Sequence, residues 1–375
     1  MRNTNRSQIL GAAACALVFA VGAVAQDTPA PILNHTFEEN DGGWQGFGGA
    51  AIVSVTHDAG LIKAGKGTLQ LSYSLKKGEF SLMLLPTPEM SLAKAKSIRF
   101  WIKTDHATSL AVVLQEKDGG RYNSILSTQK DTWLQVELGS ADFILDRSKD
   151  APNDPDNKLD MDLVQNIGIA DMAQIFIQGD QALADAFGIS EGSRKLYMDD
   201  FTVKTPELPS SCTLKAGEGV FDTFSRPQIG WIAAGQVDLT KSSGKPLEGA
   251  GMQVKYHQGA GKIAGFARYV PIDGLKGATK IAFSAASLKP AKLLVQVEEK
   301  GGGKYNAIVE LPGNSGRADL TLKFEEFTES MDSKDDNKKL DLDQVTQLLV
   351  MDMTGPTENP DVDNTLWVNN IRAMK

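Results

Sequence analysis

Leu114–Asn123 reads Leu-Gln-Glu-Lys-Asp-Gly-Gly-Arg-Tyr-Asn, and 183 positions later Val297–Asn306 reads Val-Glu-Glu-Lys-Gly-Gly-Gly-Lys-Tyr-Asn. Both stretches have an apolar residue, acidic and basic residues, a glycine-rich turn and then Tyr-Asn. A match of this length, at this distance, indicates that a large part of the chain has been duplicated.

Other segments repeat in the same order along the chain. The matched sets are Leu69, Leu71 and Tyr73 with Met252, Val254 and Tyr256; Lys158–Val164 with Lys339–Val345; and Leu196–Phe201 with Leu366–Ile371. Solenoid units are only about 20–50 residues long, so a repeat of this length predicts two copies of one domain.

The first 25 residues have the pattern of a secretory signal peptide. Arg2 and Arg6 precede an apolar run that ends in Ala-Val-Ala before Gln26. The sequence thus predicts a signal peptide at 1–25, a first domain at 26–204, a linker at 205–217 and a second domain at 218–375. It also predicts a secreted or periplasmic protein. After cleavage Cys212 is the one cysteine left, so no intrachain disulfide can form.

The composition favours an uncharged ligand. The net charge is −8, and no block of lysine and arginine alternates with aromatic residues. Nucleic-acid binding needs a basic surface, so we expect no nucleic-acid partner, and we expect no membrane span once the signal is removed.

Alternating apolar residues predict short antiparallel strands. The predicted strands are Thr68–Leu75, Ser97–Lys103, Leu110–Glu116, Tyr122–Ser127 and Trp133–Leu138. Short helices are predicted at Leu159–Gln165, Leu340–Gln347 and Gln181–Phe187. Many strands with few helices predict an all-β fold of two tandem jelly-roll β-sandwich domains.

The alternation also predicts a polar and aromatic outer face. Ile98, Phe100 and Ile102 should point into the core, because strand side chains change face at each residue. Trp101 and Trp133 then point outward with polar neighbours. Aromatic rings stack on the apolar faces of sugar rings and planar polar groups bind hydroxyls, so this face suits a sugar polymer.

The motifs resemble those of carbohydrate-binding modules of the galactose-binding-like β-sandwich group. Asn34–Glu38 followed by Trp44 is similar to the opening of modules found beside cellulases and xylanases. Thr132–Leu138, Leu159–Val164 and Leu196–Phe201 resemble the family eleven glucan-binding module and the related complex I intermediate-associated domain. The resemblance covers nearly all of the mature chain and implies a sandwich that binds a polysaccharide or oligosaccharide.

The resemblance further implies a structural calcium ion in the first copy, held by Glu38, Asp199 and Asp200. Calcium takes six to eight oxygen ligands, which carboxylates from the first and last strands would help to supply. The alternative is a solvated pair of acids at a strand end. The second copy has Asn369 and Asn370 in place of the two aspartates, which favours that alternative there.

A second acidic cluster follows the repeated stretch in each copy. Its members are Asp150, Asp154, Asp156, Asn157, Asp160 and Asp162, with Asp332, Asp335, Asp336, Asn337, Asp341 and Asp343 in the second copy. The spacing is wrong for an EF-hand. We interpret the cluster as a solvated loop whose aspartate caps the next short helix.

The predicted ligand-binding residues are mostly in the first copy. Trp101, Tyr122 and Trp133 would stack on sugars, Arg99, Gln115 and Gln135 would bind hydroxyls, and Tyr305 repeats Tyr122 in the second copy. The alternative is that the rings pack under a loop or against the other domain.

These residues lead to one main hypothesis and two others. The main hypothesis is a secreted non-catalytic protein that binds a polysaccharide such as a β-glucan, with no catalytic residues. No nucleophile elbow, zinc-binding helix or dinucleotide-binding turn is present at a suitable place, and the four histidines do not cluster. The second hypothesis is a structural or assembly protein that binds another protein. The third is a glycan-degrading enzyme with a carboxylate pair in a cleft.

Overall fold

The computed structural model describes residues 30–148, 151–179, 181–259 and 261–375. The predicted signal peptide and Asp150 lie outside the described residues. Residues 31–375 form one compact unit. In this described part, no helix combines the length and the apolar character needed to cross a membrane.

Among the described residues, the first half of the unit contains twelve strands and two short α-helices. The strands are β1 (Leu33–His35), β2 (Gln45–Phe47), β3 (Ile52–Thr56), β4 (Thr68–Leu75), β5 (Leu82–Pro86), β6 (Ser97–Thr104), β7 (Thr108–Glu116), β8 (Arg121–Thr128), β9 (Leu134–Gly139), β10 (Ile144–Leu145), β11 (Val164–Asp171) and β12 (Gly192–Lys204). The helices are α1 (Ala173–Gln178) and α2 (Gln181–Ala186). Sheet 1 has the order β3-β4-β12-β6-β9 with β1 paired to β12, and sheet 2 has the order β10-β8-β7-β11-β5-β2.

The second half repeats this arrangement. Its strands are β13 (Gly219–Val220), β14 (Ile232–Gly235), β15 (Val237–Ser242), β16 (Gly251–Gln258), β17 (Ala264–Tyr269), β18 (Lys280–Ser287), β19 (Ala291–Glu299), β20 (Lys304–Leu311), β21 (Ala318–Lys323), β22 (Thr328–Glu329), β23 (Val345–Asp352) and β24 (Val362–Met374), with helix α3 (Thr354–Glu358) before β24. Sheet 3 has the order β15-β16-β24-β18-β21 with β13 paired to β24, and sheet 4 has the order β14-β17-β23-β19-β20-β22. Each strand of the first half thus has a counterpart in the second, which confirms the predicted fold class of two tandem β-sandwiches.

Each sandwich closes on its own apolar core. In the first, Ile98, Phe100 and Ile102 of β6 are fully buried, as the alternation predicts. They meet residues such as Leu114 and Ile167 from sheet 2. The five predicted strands all form, with ends that differ by at most two residues from those predicted.

Two of the three predicted helices are wrong. Residues 159–163 form a turn before β11, and the equivalent residues form a turn before β23. Leu159 and Met161 pack against the first core from this turn. The apolar residues that suggested a helix face are therefore loop anchors. The helix predicted at Gln181–Phe187 is confirmed as α2.

The two sandwiches meet along a seam between sheet 2 and strands β14 and β17 of sheet 4. A small apolar cluster joins Ala111, Ile125 and Met172 of the first copy to Ile232 and Ala267 of the second. Backbone hydrogen bonding also crosses the seam, since the Ser127 N–H donates to the Ile229 carbonyl at 3.1 Å.

The predicted linker is packed against both copies. Leu214 is buried in the second core and the Ser211 hydroxyl donates to Asp142 at 2.7 Å. Cys212 is half-buried, and burial raises the pKa of its thiol. The boundaries of the linker stay a prediction.

Candidate functional site

The repeated stretch forms the hairpin between β7 and β8. Glu116 is buried at its base, and its carboxylate accepts a hydrogen bond from the Asp160 N–H. A Cβ at position 120 would lie 1.9 Å from Glu116 Oε2, so any residue larger than glycine there would displace this carboxyl group. The hydroxyl of Tyr122 donates to Asp154. The hairpin thereby holds the loop that precedes β11.

The second copy makes the same contacts. Glu299 accepts from the Asp341 N–H, and Tyr305 donates to Asp335. Tyr122 and Tyr305 are only 3% and 4% exposed. The prediction that these rings face a sugar is therefore corrected: both are buried supports of a loop, and their repetition reflects the fold.

The acidic loop is more ordered than the sequence suggests. Asp154 is buried, and its Oδ1 accepts from the N–H groups of Asp156 and Asn157. It caps a turn in the loop, since no helix follows. Among the residues that the structure describes, no three histidine, cysteine, aspartate or glutamate side chains form a group that could hold a metal ion.

The predicted calcium residues gather at a bulge in β12. Asp199 is fully buried, and its Oδ2 accepts from the Lys63 and Ala64 N–H groups and the Thr68 hydroxyl, each at 3.0 Å. Its Oδ1 accepts from the Asp200 N–H. Oδ2 is thus saturated, whereas Oδ1 accepts a single hydrogen bond, so Asp199 as a calcium ligand stays a prediction.

Glu38 and Asp200 are less fully engaged. One oxygen of Glu38 accepts from the Lys66 N–H at 2.7 Å. Burial raises the pKa of Asp200, and the charges of Asp199 and Glu38 raise it further. A cation would relieve this repulsion, so calcium at Glu38, Asp199 and Asp200 stays a prediction. In the second copy Asn369 donates to the Glu248 carbonyl, a bond that an aspartate could not make.

Four predicted ligand residues share the outer face of sheet 1. Trp101 lies opposite Gln135, and Arg99 pairs with Glu137 at 2.6 Å. Trp133 precedes β9 on the same side. Lysine side chains approach both rings: Lys63 Nζ lies 4.1 Å from the Trp101 ring centroid, and Lys103 Nζ lies 5.3 Å from that of Trp133. These cation–π contacts leave both rings half-buried.

A groove of about 690 Å³ crosses the outer face of the other sheet, sheet 2. Residues that lie opposite one another across paired strands point to the same side. The central strands β7 and β11 place Ala111 opposite Ala170 and Val113 opposite Gly168. Small side chains at the middle of the sheet therefore leave a depression.

Larger apolar residues flank this depression. Leu82 of β5 lies opposite Ala170, and Ile125 of β8 lies opposite Ala111 on the other side. At the β2 edge, Phe47 and Phe80 line the groove and are 61% and 42% exposed. Two aromatic rings are thus available to a ligand at the groove mouth.

Polar side chains border the groove at the neighbouring outward-facing positions of the same strands. Gln115 lies opposite both Asn166 and Arg121, and Asn123 lies opposite Val113. Of the predicted ligand residues, Gln115 alone lines this groove, and its amide nitrogen donates to the carbonyls of the hairpin turn. Apart from the two buried tyrosines, the predicted residues are therefore split between the outer faces of sheet 1 and sheet 2.

The two acids that line the groove have ordinary partners. Burial alone would raise the pKa of Asp146, but hydrogen bonds from Ser148 and the charge of Arg121 hold it below its usual range. Likewise, hydrogen bonds from His106, Thr108 and Tyr73 outweigh burial and lower the pKa of Asp171. Neither carboxyl has the raised pKa that a general acid for glycoside hydrolysis needs.

The second copy has larger residues at the positions that form this depression in the first. Leu294, Leu349 and Met351 stand where the first copy has Ala111, Gly168 and Ala170. Their larger side chains fill the middle of sheet 4. A comparison of the two copies' sequences contains the signal for this groove: residues at outward positions of β7 and β11 are small in the first copy and large in the second.

No family model and no curated protein matches this chain. Among solved structures, it is similar to the N-terminal tandem CBM22-1–CBM22-2 domain of Xyn10C from Paenibacillus barcinonensis, with 12% identity over 93% of this chain and 98% of that chain and a TM-score of 0.30. It is also similar to a family 11 carbohydrate-binding module from Clostridium thermocellum, solved with a β-1,3-1,4-mixed-linked tetrasaccharide, with 15% identity over 47% of this chain and 96% of that chain and a TM-score of 0.35. These neighbours are carbohydrate-binding modules, the group that the sequence resembles.

Proposed function

We propose that this chain is a secreted, non-catalytic carbohydrate-binding protein whose first sandwich holds a polysaccharide, with a β-glucan as the candidate, in the groove across sheet 2. The observation that carries the proposal is the groove itself, which combines a small-residue floor with two exposed phenylalanines and a polar border. Pyranose rings have apolar faces and hydroxyl edges, and such a surface complements both. The net charge of −8 favours a neutral polymer over an anionic one.

The absence of catalysis is part of the proposal. A glycosidase needs two carboxyl groups with different protonation states across the scissile bond. The two acids that line the groove, Asp146 and Asp171, are both held ionised by their neighbours. Binding without turnover is the chemistry that these side chains favour.

A protein partner is the second candidate. Phe47, Phe80 and Ile175 are exposed around the groove, and Ile175 is 52% exposed. An exposed apolar patch of this kind also suits a protein surface. The same experiment separates the two candidates.

The test is electrophoresis of the mature chain, from Gln26 onward, on native gels that contain mixed-linkage glucan, xylan, a cellulose derivative or mannan. Gly168→Leu gives the first copy the residue that the second copy has at the matching position. A Cβ at Gly168 meets its nearest neighbours at 3.6–3.8 Å, so the fold should tolerate the change while the groove is filled. We expect one polymer to retard the wild type and Gly168→Leu to abolish the retardation.

Trp101→Ala and Trp133→Ala are the matched controls on the opposite face. If these variants lose retardation and Gly168→Leu keeps it, the ligand binds sheet 1 as the sequence predicted. If the folded wild type migrates freely on every gel, carbohydrate binding is rejected for these polymers and a protein partner is favoured.

A further inference from the structure

A second cavity of about 310 Å³ adjoins the groove at the seam between the copies. The groove and this seam pocket share four lining residues, Asn123, Asp146, Ser148 and Tyr269. The first three come from the edge of sheet 2, whereas Tyr269 ends β17 of the second copy. The two cavities are therefore adjacent, and Tyr269 lines both.

The second copy lines the far side of the seam pocket with polar side chains. Gln347 lies opposite Tyr269 on one neighbour strand and opposite Glu298 on the other. All three are half-buried and face the same side of sheet 4. Burial raises the pKa of Tyr269 to about 12, so its hydroxyl stays neutral and can both donate and accept hydrogen bonds.

The seam holds these residues in a fixed position. Arg147 of the first copy donates to the Val345 and Val270 carbonyls of the second. Val270 directly follows Tyr269, and Val345 begins the strand that carries Gln347. Arg147 thus ties the first copy to the backbone next to Tyr269 and to the strand of Gln347.

We infer that the two copies form one binding site, in which a carbohydrate chain bound in the groove continues over Tyr269 into the seam pocket and contacts Glu298 and Gln347. The inference rests on the proposed function. We call this single extended site the shared track. In it, the second copy binds the far end of the ligand and does not form a second independent site, although large side chains occupy the outer face of sheet 4.

Ligand length is the variable that this arrangement controls. A short oligosaccharide occupies the part of the groove over sheet 2 and stops short of Tyr269. A longer one adds stacking on Tyr269 and hydrogen bonds from the seam pocket. We therefore expect affinity to rise with chain length beyond the groove, at a stoichiometry of one ligand per protein chain.

The experiment is titration calorimetry of the wild type and Tyr269→Ala with mixed-linkage β-glucan oligosaccharides from a disaccharide to an octasaccharide. Loss of one stacked ring should weaken binding of the longest oligosaccharide by about tenfold, as expected for a loss near 1.4 kcal/mol, and change the affinity of the shortest by less than about twofold. Tyr269→Phe keeps the ring and should retain most of the length dependence. Ile308→Ala, an exposed change on the same sheet outside both cavities, is the control.

Each result decides between the two proposals. If the wild type binds but Tyr269→Ala weakens all lengths equally or none, the shared track is wrong and the groove proposal stands. A stoichiometry of two ligands per chain overturns the shared track as well. If neither the oligosaccharides nor any polymer binds the wild type, the proposed function fails and the shared track fails with it. Gln347→Ala gives an independent reading if Tyr269→Ala unfolds.

Discussion

Glu116 illustrates how one buried side chain can dominate a local structure. It lies almost fully buried among other acids, and burial raises its pKa to about 7, with the charges of Asp154, Asp118 and Asp160 adding to the effect. The Asp160 N–H opposes the shift through its hydrogen bond. The pKa of Glu299, its counterpart, is raised for the same first reason. Both copies therefore keep a buried carboxyl group in the repeated stretch.

This environment makes stability depend on pH. Between about 4.5 and about 7 the folded protein keeps a proton on Glu116 that the unfolded chain has lost, so the free energy of unfolding falls as the pH rises. Glu116→Gln cannot ionise and keeps an oxygen for the Asp160 N–H. We expect it to remove part of the pH dependence, by up to about 3 kcal/mol over this range. Urea unfolding at a series of pH values measures this.

Glu89→Gln is the control for the pH series, because Glu89 is an exposed acid paired with Lys117. Its pH profile should match that of the wild type. Equal slopes for the wild type and Glu116→Gln would mean that Glu116 ionises normally in the folded protein.

At the scale of elements, the bulge in β12 anchors the loop before β4. Asp199 accepts hydrogen bonds from two backbone N–H groups of that loop and from Thr68. Asp199→Asn would replace one acceptor oxygen by a donor and leave buried N–H groups without a partner. We expect a loss of about 2 kcal/mol in the free energy of unfolding, measured by urea titration.

Urea and thermal unfolding, each in calcium and in EDTA, test the calcium prediction. A loss that comes from hydrogen bonds alone should be equal in calcium and in EDTA. Calcium bound by Glu38, Asp199 and Asp200 would instead raise the wild-type melting temperature above its value in EDTA, and Asp200→Asn would remove that rise. Equal melting temperatures for the wild type in both solutions would reject a structural calcium ion.

The strands were predictable because alternation depends only on which side chains are buried, as Ile98, Phe100 and Ile102 demonstrate. Whether a short apolar segment forms a helix or a turn was less predictable. Leu159 and Met161 have a helix-like spacing, but they anchor a turn that only the core contacts reveal. Outward-facing residues were the hardest to interpret, because alternation cannot tell an exposed outer face from one covered by lysines or by the other copy.

For the same reason, the groove was missed. Its floor consists of Ala111, Gly168 and Ala170, which carry no polar or aromatic group from which a binding role could be predicted. Trp101 and Trp133 were predicted to stack on sugars, yet lysine side chains lie over both rings. A site defined by the absence of side-chain volume becomes visible only when strand register places the small residues side by side.

At the scale of the molecule, the seam determines whether the copies act together. Its buried ion pair joins Asp142, after β9, to Arg226 of the second half at 2.7 Å. Arg226 also donates to the Pro209 carbonyl, and Asp142 accepts from Ser211. The pair therefore ties the first sandwich, the predicted linker and the second sandwich at one point. Both side chains are less than a tenth exposed.

Removing one partner of this pair should uncouple the sandwiches. Arg226→Ala leaves the Asp142 charge buried and unpaired, which typically costs about 3–5 kcal/mol. We expect the wild type to unfold in one calorimetric transition and Arg226→Ala to unfold in two, because each sandwich retains its own core. Arg317→Ala removes an exposed ion pair with Asp319 and should change little. If the variant still melts in one transition with an unchanged midpoint, the apolar cluster and backbone bonds hold the seam without the ion pair. If it melts in two, the length dependence conferred by Tyr269 should weaken in the same variant, since the seam pocket exists only while the copies are docked.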